Sequence, residues 1–160
     1  MAGEQDILNW RRWDSRTSLS GQPTEDQLKE LAQIGVVQII NLGPHSNDGA
    51  LDDEAASVAQ LGMEYIYIPV DFGNPTEADW AAFCAAIKGA PDAPLHVHCI
   101  YNARVSAFFY RFAKEGRGGE VDAAFELMDG IWRPGGVWAR FIGKPEDTCK
   151  PNRYLGYDYG

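Results

Sequence analysis

The stretch Leu95-His96-Val97-His98-Cys99-Ile100-Tyr101-Asn102-Ala103-Arg104-Val105-Ser106 constrains the chain more than any other. A short apolar run ends on His98 and Cys99. Arg104 then opens a segment that places Val105, Phe108, Phe109, Phe112 and Ala113 at i, i+3, i+4, i+7 and i+8, the stripe of an amphipathic helix. Cys99 therefore stands where a buried strand turns into a helix N-terminus. Unpaired N–H groups and the positive end of the helix dipole stabilise a thiolate and attract an anion at such a place. A guanidinium at Arg104 adds a bidentate clamp for phosphate-like oxygens. A strand-end Cys also reads as a small core hydrophobe. The strand–turn–helix context is what favours chemistry over packing.

The rest of the chain supplies a scaffold for that turn. Thr24 with Gln27 and Thr76 with Asp79 are capping boxes, each opening a helix. The first helix carries Leu28, Leu31 and Ala32 and stops near Gly35; the second carries Trp80, Phe83, Cys84 and Ile87. Val36 to Leu42 is short, β-branched and nearly continuous, the pattern of a strand buried on both faces. Leu51, Ala55 and Val58 suggest a helix ending at Gly62, and Met63 to Val70 a further strand. Val121, Ala124, Phe125 and Met128 form another helical stripe, and Val137 to Ile142 a last short one. Strand, helix, strand, helix, strand, helix implies an α/β fold: a single domain with a mostly parallel sheet flanked by helices. Residues 1–15 read as an arm packed on the body, 16–142 as the domain, and 143–160 as a polar tail packed on or extending from it. Ligands in such sheets bind beyond the carboxyl ends of strands, where Cys99, Asn41 and Asp71 all fall.

Composition narrows the partners. The 160 residues carry a net charge of −9, which disfavours nucleic acid and anionic membranes. No apolar run reaches the roughly 20 residues that span a bilayer, and the N-terminus lacks the features of a secretion signal. Three cysteines at unrelated spacings argue against a disulfide framework and suit a reducing, cytoplasmic location. Cys84 belongs to a helical stripe; nothing around Cys149 suggests activation. Trp10, Trp13, Trp132 and Trp138 are candidates for an interface, and the oligomeric state stays open.

His98-Cys99…Arg104 resembles the phosphate-binding loop of cysteine-dependent protein tyrosine and dual-specificity phosphatases. With Ser20-Gly21-Gln22-Pro23-Thr24, Ile39-Ile40-Asn41-Leu42 and Ile68-Pro69-Val70, residues 16 to 142 are similar to a bacterial phosphatase-like family. That family is related to the N-terminal part of beta-lactamase-hydrolase-like proteins. It shares the opening Ser-Gly-Gln-Pro and a Cys-to-Arg loop one residue shorter than in the common phosphatases. The resemblance implies a dual-specificity-phosphatase-like fold and a double displacement: Cys99 attacks phosphorus and water hydrolyses the cysteinyl-phosphate. The N–H groups from Ile100 through Tyr101, Asn102 and Ala103 to Arg104, with the Arg104 guanidinium, would hold the phosphoryl oxygens. His98 would orient the loop and hydrogen-bond the thiolate. Asp71, otherwise an ordinary turn residue, would be the general acid. A hydroxyl usually follows the Arg directly and bonds the leaving thiolate. Val105 stands there, but Ser106 keeps the usual distance from Cys99. The usual loop glycine is replaced by Asn102 or Ala103, depending on where the shortening falls; Asn tolerates the left-handed backbone better than most residues.

Two other readings compete. The same cradle serves a phosphate- or phosphopeptide-binding module with little turnover, or a persulfide carrier of the sulfurtransferase kind. His96 and His98 share a strand face and invite a metal, with His45 and Asp71 as the obvious further donors; a structural role for the pair is favoured. The resemblance implies no cofactor and a phosphorylated small molecule or phosphoprotein as substrate.

Overall fold

The computed structural model describes residues 6–143. Cys149 and the tail residues Tyr154, Leu155, Tyr157 and Tyr159 lie outside that range. Five strands form one sheet in the order β1-β2-β5-β3-β4: β1 (Arg11–Arg12), β2 (Thr17–Ser20), β3 (Gln38–Asn41), β4 (Glu64–Tyr67) and β5 (Leu95–His98). All neighbours are parallel except β1 with β2. Helices α1 (Glu25–Gln33), α2 (Glu54–Gln60), α3 (Glu77–Lys88), α4 (Ala103–Lys114), α5 (Val121–Glu126) and α6 (Gly136–Phe141) cover the sheet.

Both capping boxes form reciprocally. Thr24 N–H donates to Gln27 Oε1 at 2.9 Å and Gln27 N–H to Thr24 Oγ1 at 3.1 Å; Thr76 and Asp79 repeat the exchange at 3.0 and 3.1 Å. Gly35 and Gly62 take φ of +103° and +81° just past α1 and α2, a conformation that costs glycine no steric strain.

Alternate strand residues sort into two cores, as the period of two requires. Ile39 joins Ile7, Leu28, Leu31, Val36, Val58 and Met63 beneath α1 and α2. Ile40 joins Leu19, Val97 and the aromatic cluster of Trp80, Phe83, Phe108, Phe109, Trp132 and Trp138 on the other face. Trp132 and Trp138 are fully buried there and offer no interface. Trp13 packs its ring 4.7 Å from Phe109.

Two strands depart from the sequence expectation. β2 is a neighbour of β5, although Thr17-Ser18-Leu19-Ser20 carries one apolar side chain; the buried Ser18 and Ser20 hydroxyls both meet His96. β4 is shorter than Met63 to Val70, since Pro69 has no N–H to give the ladder. Its hydrogen bonding nevertheless runs on, from Ile68 N–H to the Asn41 carbonyl and from Val70 N–H to the Leu42 carbonyl. Among the described residues no helix is long and apolar enough to cross a membrane.

Candidate active site

β5 ends at His98, the chain turns through Cys99–Asn102, and α4 begins at Ala103. The turn is possible because Asn102 adopts φ +74°, the left-handed conformation a loop glycine would take. Ala103 is helical, so the shortening leaves Asn102 in the glycine role. The first intrahelical bond runs from Ser106 N–H to the Asn102 carbonyl at 3.1 Å. The N–H groups of Ala103, Arg104 and Val105 thus precede the ladder and lie at the positive end of α4.

Three consecutive carbonyls of the turn are pinned from outside. His98 Nδ1 donates to the Cys99 carbonyl at 2.8 Å. Gln22 N–H donates to the Ile100 carbonyl at 2.9 Å. Asn9 Nδ2 donates to the Tyr101 carbonyl at 2.9 Å, and Asn102 Nδ2 returns a bond to the Asn9 carbonyl at 2.8 Å. Asn9 therefore grips the loop, and, two residues on, Arg11–Arg12 pair with β2. Gly21 is required by closeness: a Cβ there would lie 2.6 Å from the Ile100 carbonyl oxygen. One on Gly43 would stand 3.2 Å from the Cys99 carbonyl carbon, so the loops after β2 and β3 both close on the turn.

Cys99, Ile100, Tyr101, Ala103 and Arg104 line one cavity of about 410 Å³, together with Leu8, Asn47, Asp48 and Phe72. Cys99 itself is fully buried. Arg104, 3% exposed, is fixed before any ligand arrives. One terminal nitrogen donates to the Val70 carbonyl at 2.9 Å, and the guanidinium lies 5.2 Å from the centre of the Phe72 ring. Its Nε–H is buried with no partner among the described residues.

Other expected residues are placed differently. The Ser106 hydroxyl donates to the Ala103 carbonyl at 3.1 Å, a local bond that spends its one proton away from Cys99. His98 gives its Nδ1 proton to the Cys99 carbonyl, not to the sulfur. Asp71 sits on an exposed turn, where Oδ1 accepts from Gly73 N–H at 2.9 Å. Its neighbour Phe72 lines the cavity, and so does Asp48, a carboxyl that the sequence marks only as loop.

The histidines are held by their own partners. Ser20 Oγ donates to the Gly21 carbonyl at 2.6 Å, so it accepts from His96 Nε2–H at 2.7 Å. His96 Nδ1 then accepts from Ser18 Oγ at 2.7 Å. Burial holds this imidazole well below its usual 6.5, and it is neutral. His98 Nε2 meets Glu54 Oε2 at 2.5 Å, with both side chains essentially unexposed. Glu54 Oε1 accepts from Gln22 Nε2 at 2.8 Å. Burial pushes the Glu54 carboxyl up, but the His98 hydrogen bond and charge and the Gln22 hydrogen bond outweigh it and hold it below its ordinary 4.5. His45 bonds Tyr65 at 2.7 Å and stacks 3.9 Å from Tyr67. Among the described residues no three His, Cys, Asp or Glu converge on a metal position.

The chain is similar to known proteins in sequence and in fold. A model of the beta-lactamase hydrolase-like protein, phosphatase-like domain, covers residues 9–114. Beta-lactamase hydrolase-like protein from Xylella fastidiosa is 37% identical over 94 residues, 57% of this chain and 22% of that protein. The chain thus matches about a fifth of the length of that relative. The crystal structure of a DUF442 protein from Shewanella putrefaciens CN-32 is 34% identical, with a TM-score of 0.78 over 88% of this chain and 92% of that one. Fold alone is shared with P. aeruginosa TpbA in complex with pTyr, at 18% identity and a TM-score of 0.62 over 81% of this chain and 75% of that one.

Proposed function

The chain belongs to the family of the phosphatase-like domain of beta-lactamase hydrolase-like proteins, and from that premise we propose that it hydrolyses phosphomonoesters through a cysteinyl-phosphate on Cys99. The observation that carries this reading is the convergence of Cys99, Arg104 and the α4 N-terminus on one cavity. The thiolate forms an S–P bond as the ester P–O bond breaks, and the leaving oxygen takes a proton from a carboxylic acid. Water then attacks phosphorus, gives its proton to the same carboxylate, and releases phosphate and the thiolate. Arg104 and the N–H groups of Ile100, Tyr101, Asn102 and Ala103 hold the phosphoryl oxygens through both steps. His98 positions the loop from below. Ser106 takes part only if its hydroxyl turns from Ala103 to the sulfur.

Two aspartates compete for the role of acid. Asp71 stands on the exposed turn four residues past β4, and Asp48 stands in the cavity wall. The cavity also suggests the substrate. Leu8, Phe72 and Ile100 are apolar, Tyr101 adds an aromatic ring, and Arg104 is the one cation among the described lining residues. A single phosphoryl group on an apolar small molecule or a protein side chain suits such a lining; a polyphosphate does not.

The test is turnover of p-nitrophenyl phosphate. Cys99→Ser should abolish it, and Arg104→Ala should lower kcat/KM by roughly 10²–10³, the usual cost of one oxyanion-stabilising donor. Of Asp71→Asn and Asp48→Asn, the acid is the one whose loss grows with the pKa of the leaving alcohol. Phosphate that protects Cys99 from alkylation without any turnover would favour a binding module instead. Cyanide-dependent thiocyanate release would favour sulfur transfer.

A further inference from the structure

We propose that Glu54 is a positioning residue of this active site: through His98 and Gln22 its buried carboxylate fixes two successive carbonyls of the phosphate loop and keeps an imidazolium beneath the nucleophile. The proposal rests on the phosphatase reading for its kinetic readout but not for its chemical one.

A carbonyl only accepts, so the contact with the Cys99 carbonyl places a proton on His98 Nδ1. Nε2 faces a carboxylate oxygen, which also accepts, so a second proton lies in that contact. With Glu54 held as the carboxylate, the imidazole carries both. The other Glu54 oxygen orients the Gln22 side chain, whose own backbone N–H holds the Ile100 carbonyl. One carboxylate therefore anchors the donors to residues 99 and 100 together.

Peptide planarity turns this into a cradle. In a trans peptide the N–H points opposite to the preceding carbonyl. Pinning the Cys99 and Ile100 carbonyls toward His98 and Gln22 turns the N–H groups of Ile100 and Tyr101 the other way. Neither His98, Gln22 nor Glu54 lines the cavity, whereas Cys99, Ile100 and Tyr101 do. The charge also matters, because a cation behind the loop favours a thiolate in front of it. The other titratable groups around the pair are His45 from the loop after β3 and Tyr65 on β4. On β5 itself, neutral His96 stands 6.5 Å from the His98 ring.

Glu54→Gln is the discriminating variant. Its amide can donate to Nε2 of a neutral imidazole and still accept from Gln22, so the bonds survive and the charge is lost. We expect an unchanged fold by circular dichroism, roughly tenfold slower alkylation of Cys99 by iodoacetamide at pH 6, and a similar fall in kcat/KM for p-nitrophenyl phosphate, the equivalent of one pKa unit. The double variant Glu54→Gln, His98→Asn has no buried charge and should lose no more than Glu54→Gln alone. Wild-type alkylation rates in Glu54→Gln would overturn the proposal. So would a double variant whose losses simply add, because Glu54 would then act without His98. If the wild-type protein turns over no phosphomonoester, the phosphatase reading fails and the alkylation rates alone decide this one.

Discussion

On one face of β5, Leu95, Val97 and, just past the strand, Cys99 enter a core of packed aromatic rings; on the other face, His96 and His98 enter a file of hydroxyls and a carboxylate. The two faces are made by alternate residues of the same four-residue strand. The apolar face stabilises through area and volume, which tolerate compensating changes. The polar face stabilises only while every donor has its acceptor, since a buried group left alone costs its whole desolvation. The loop that follows inherits its position from the second face. A site built this way is exact because its support has few alternative arrangements.

That contrast can be broken by experiment. The largest effect on stability is expected from the apolar face. Phe108 lies fully buried, with the rings of Phe83, Trp80 and Phe141 at 5.2, 5.7 and 5.2 Å. Phe108→Ala should lower the unfolding free energy by about 3–5 kcal/mol in urea titration. The fraction that stays folded should keep its wild-type rate. A selective loss of activity would show that this face also shapes the loop.

Ser20→Ala strips His96 Nε2–H of its acceptor and the Gly21 carbonyl of its donor, and should cost about 1–3 kcal/mol. Because Gly21 backs the Ile100 carbonyl, this smaller destabilisation should be accompanied by lost activity. Activity equal to wild type at a temperature where both proteins are folded would uncouple the file from the loop.

The smallest effect is a slope in pH. Folded His96 stays neutral below the 6.5 at which the unfolded residue takes up a proton. The unfolded state therefore binds more protons as pH falls. Stability is whole above about 6.5 and declines below it, by at most about 1.4 kcal/mol per pH unit from this residue. A urea midpoint that does not change between pH 7 and 5.5 would mean that His96 is protonated in place.

The sequence revealed the features whose causes are local. The Thr24 and Thr76 capping boxes, the α4 stripe and the turn at Cys99 depend on neighbours a few residues away. Asn102 was legible for the same reason, since its tolerance of positive φ is intrinsic. What could not be read depends on distant partners. Thr17-Ser18-Leu19-Ser20 has the polarity of a loop until His96 is placed beside it. Glu54 has the look of an acid in the first turn of α2, and only the fold brings it to His98. Asn9 and Leu8 look like an arm until they reach Tyr101 and the cavity. Ser106 sits at the right distance along the chain, yet its hydroxyl finds a nearer acceptor in Ala103.

The strand order has a consequence for how the molecule comes to exist. β5 occupies the space between β2 and β3, and Thr17 must wait beside an empty lane until Leu95 arrives. Contacts this far apart in sequence are slow to form, and during synthesis the N-terminal strands leave the ribosome well before their partner. The β2 and β3 backbones present unpaired edges during that interval. Of the described strands, the last to be synthesised is the one that leads into Cys99, so the turn at Cys99 has no complete sheet beneath it until β5 is in place.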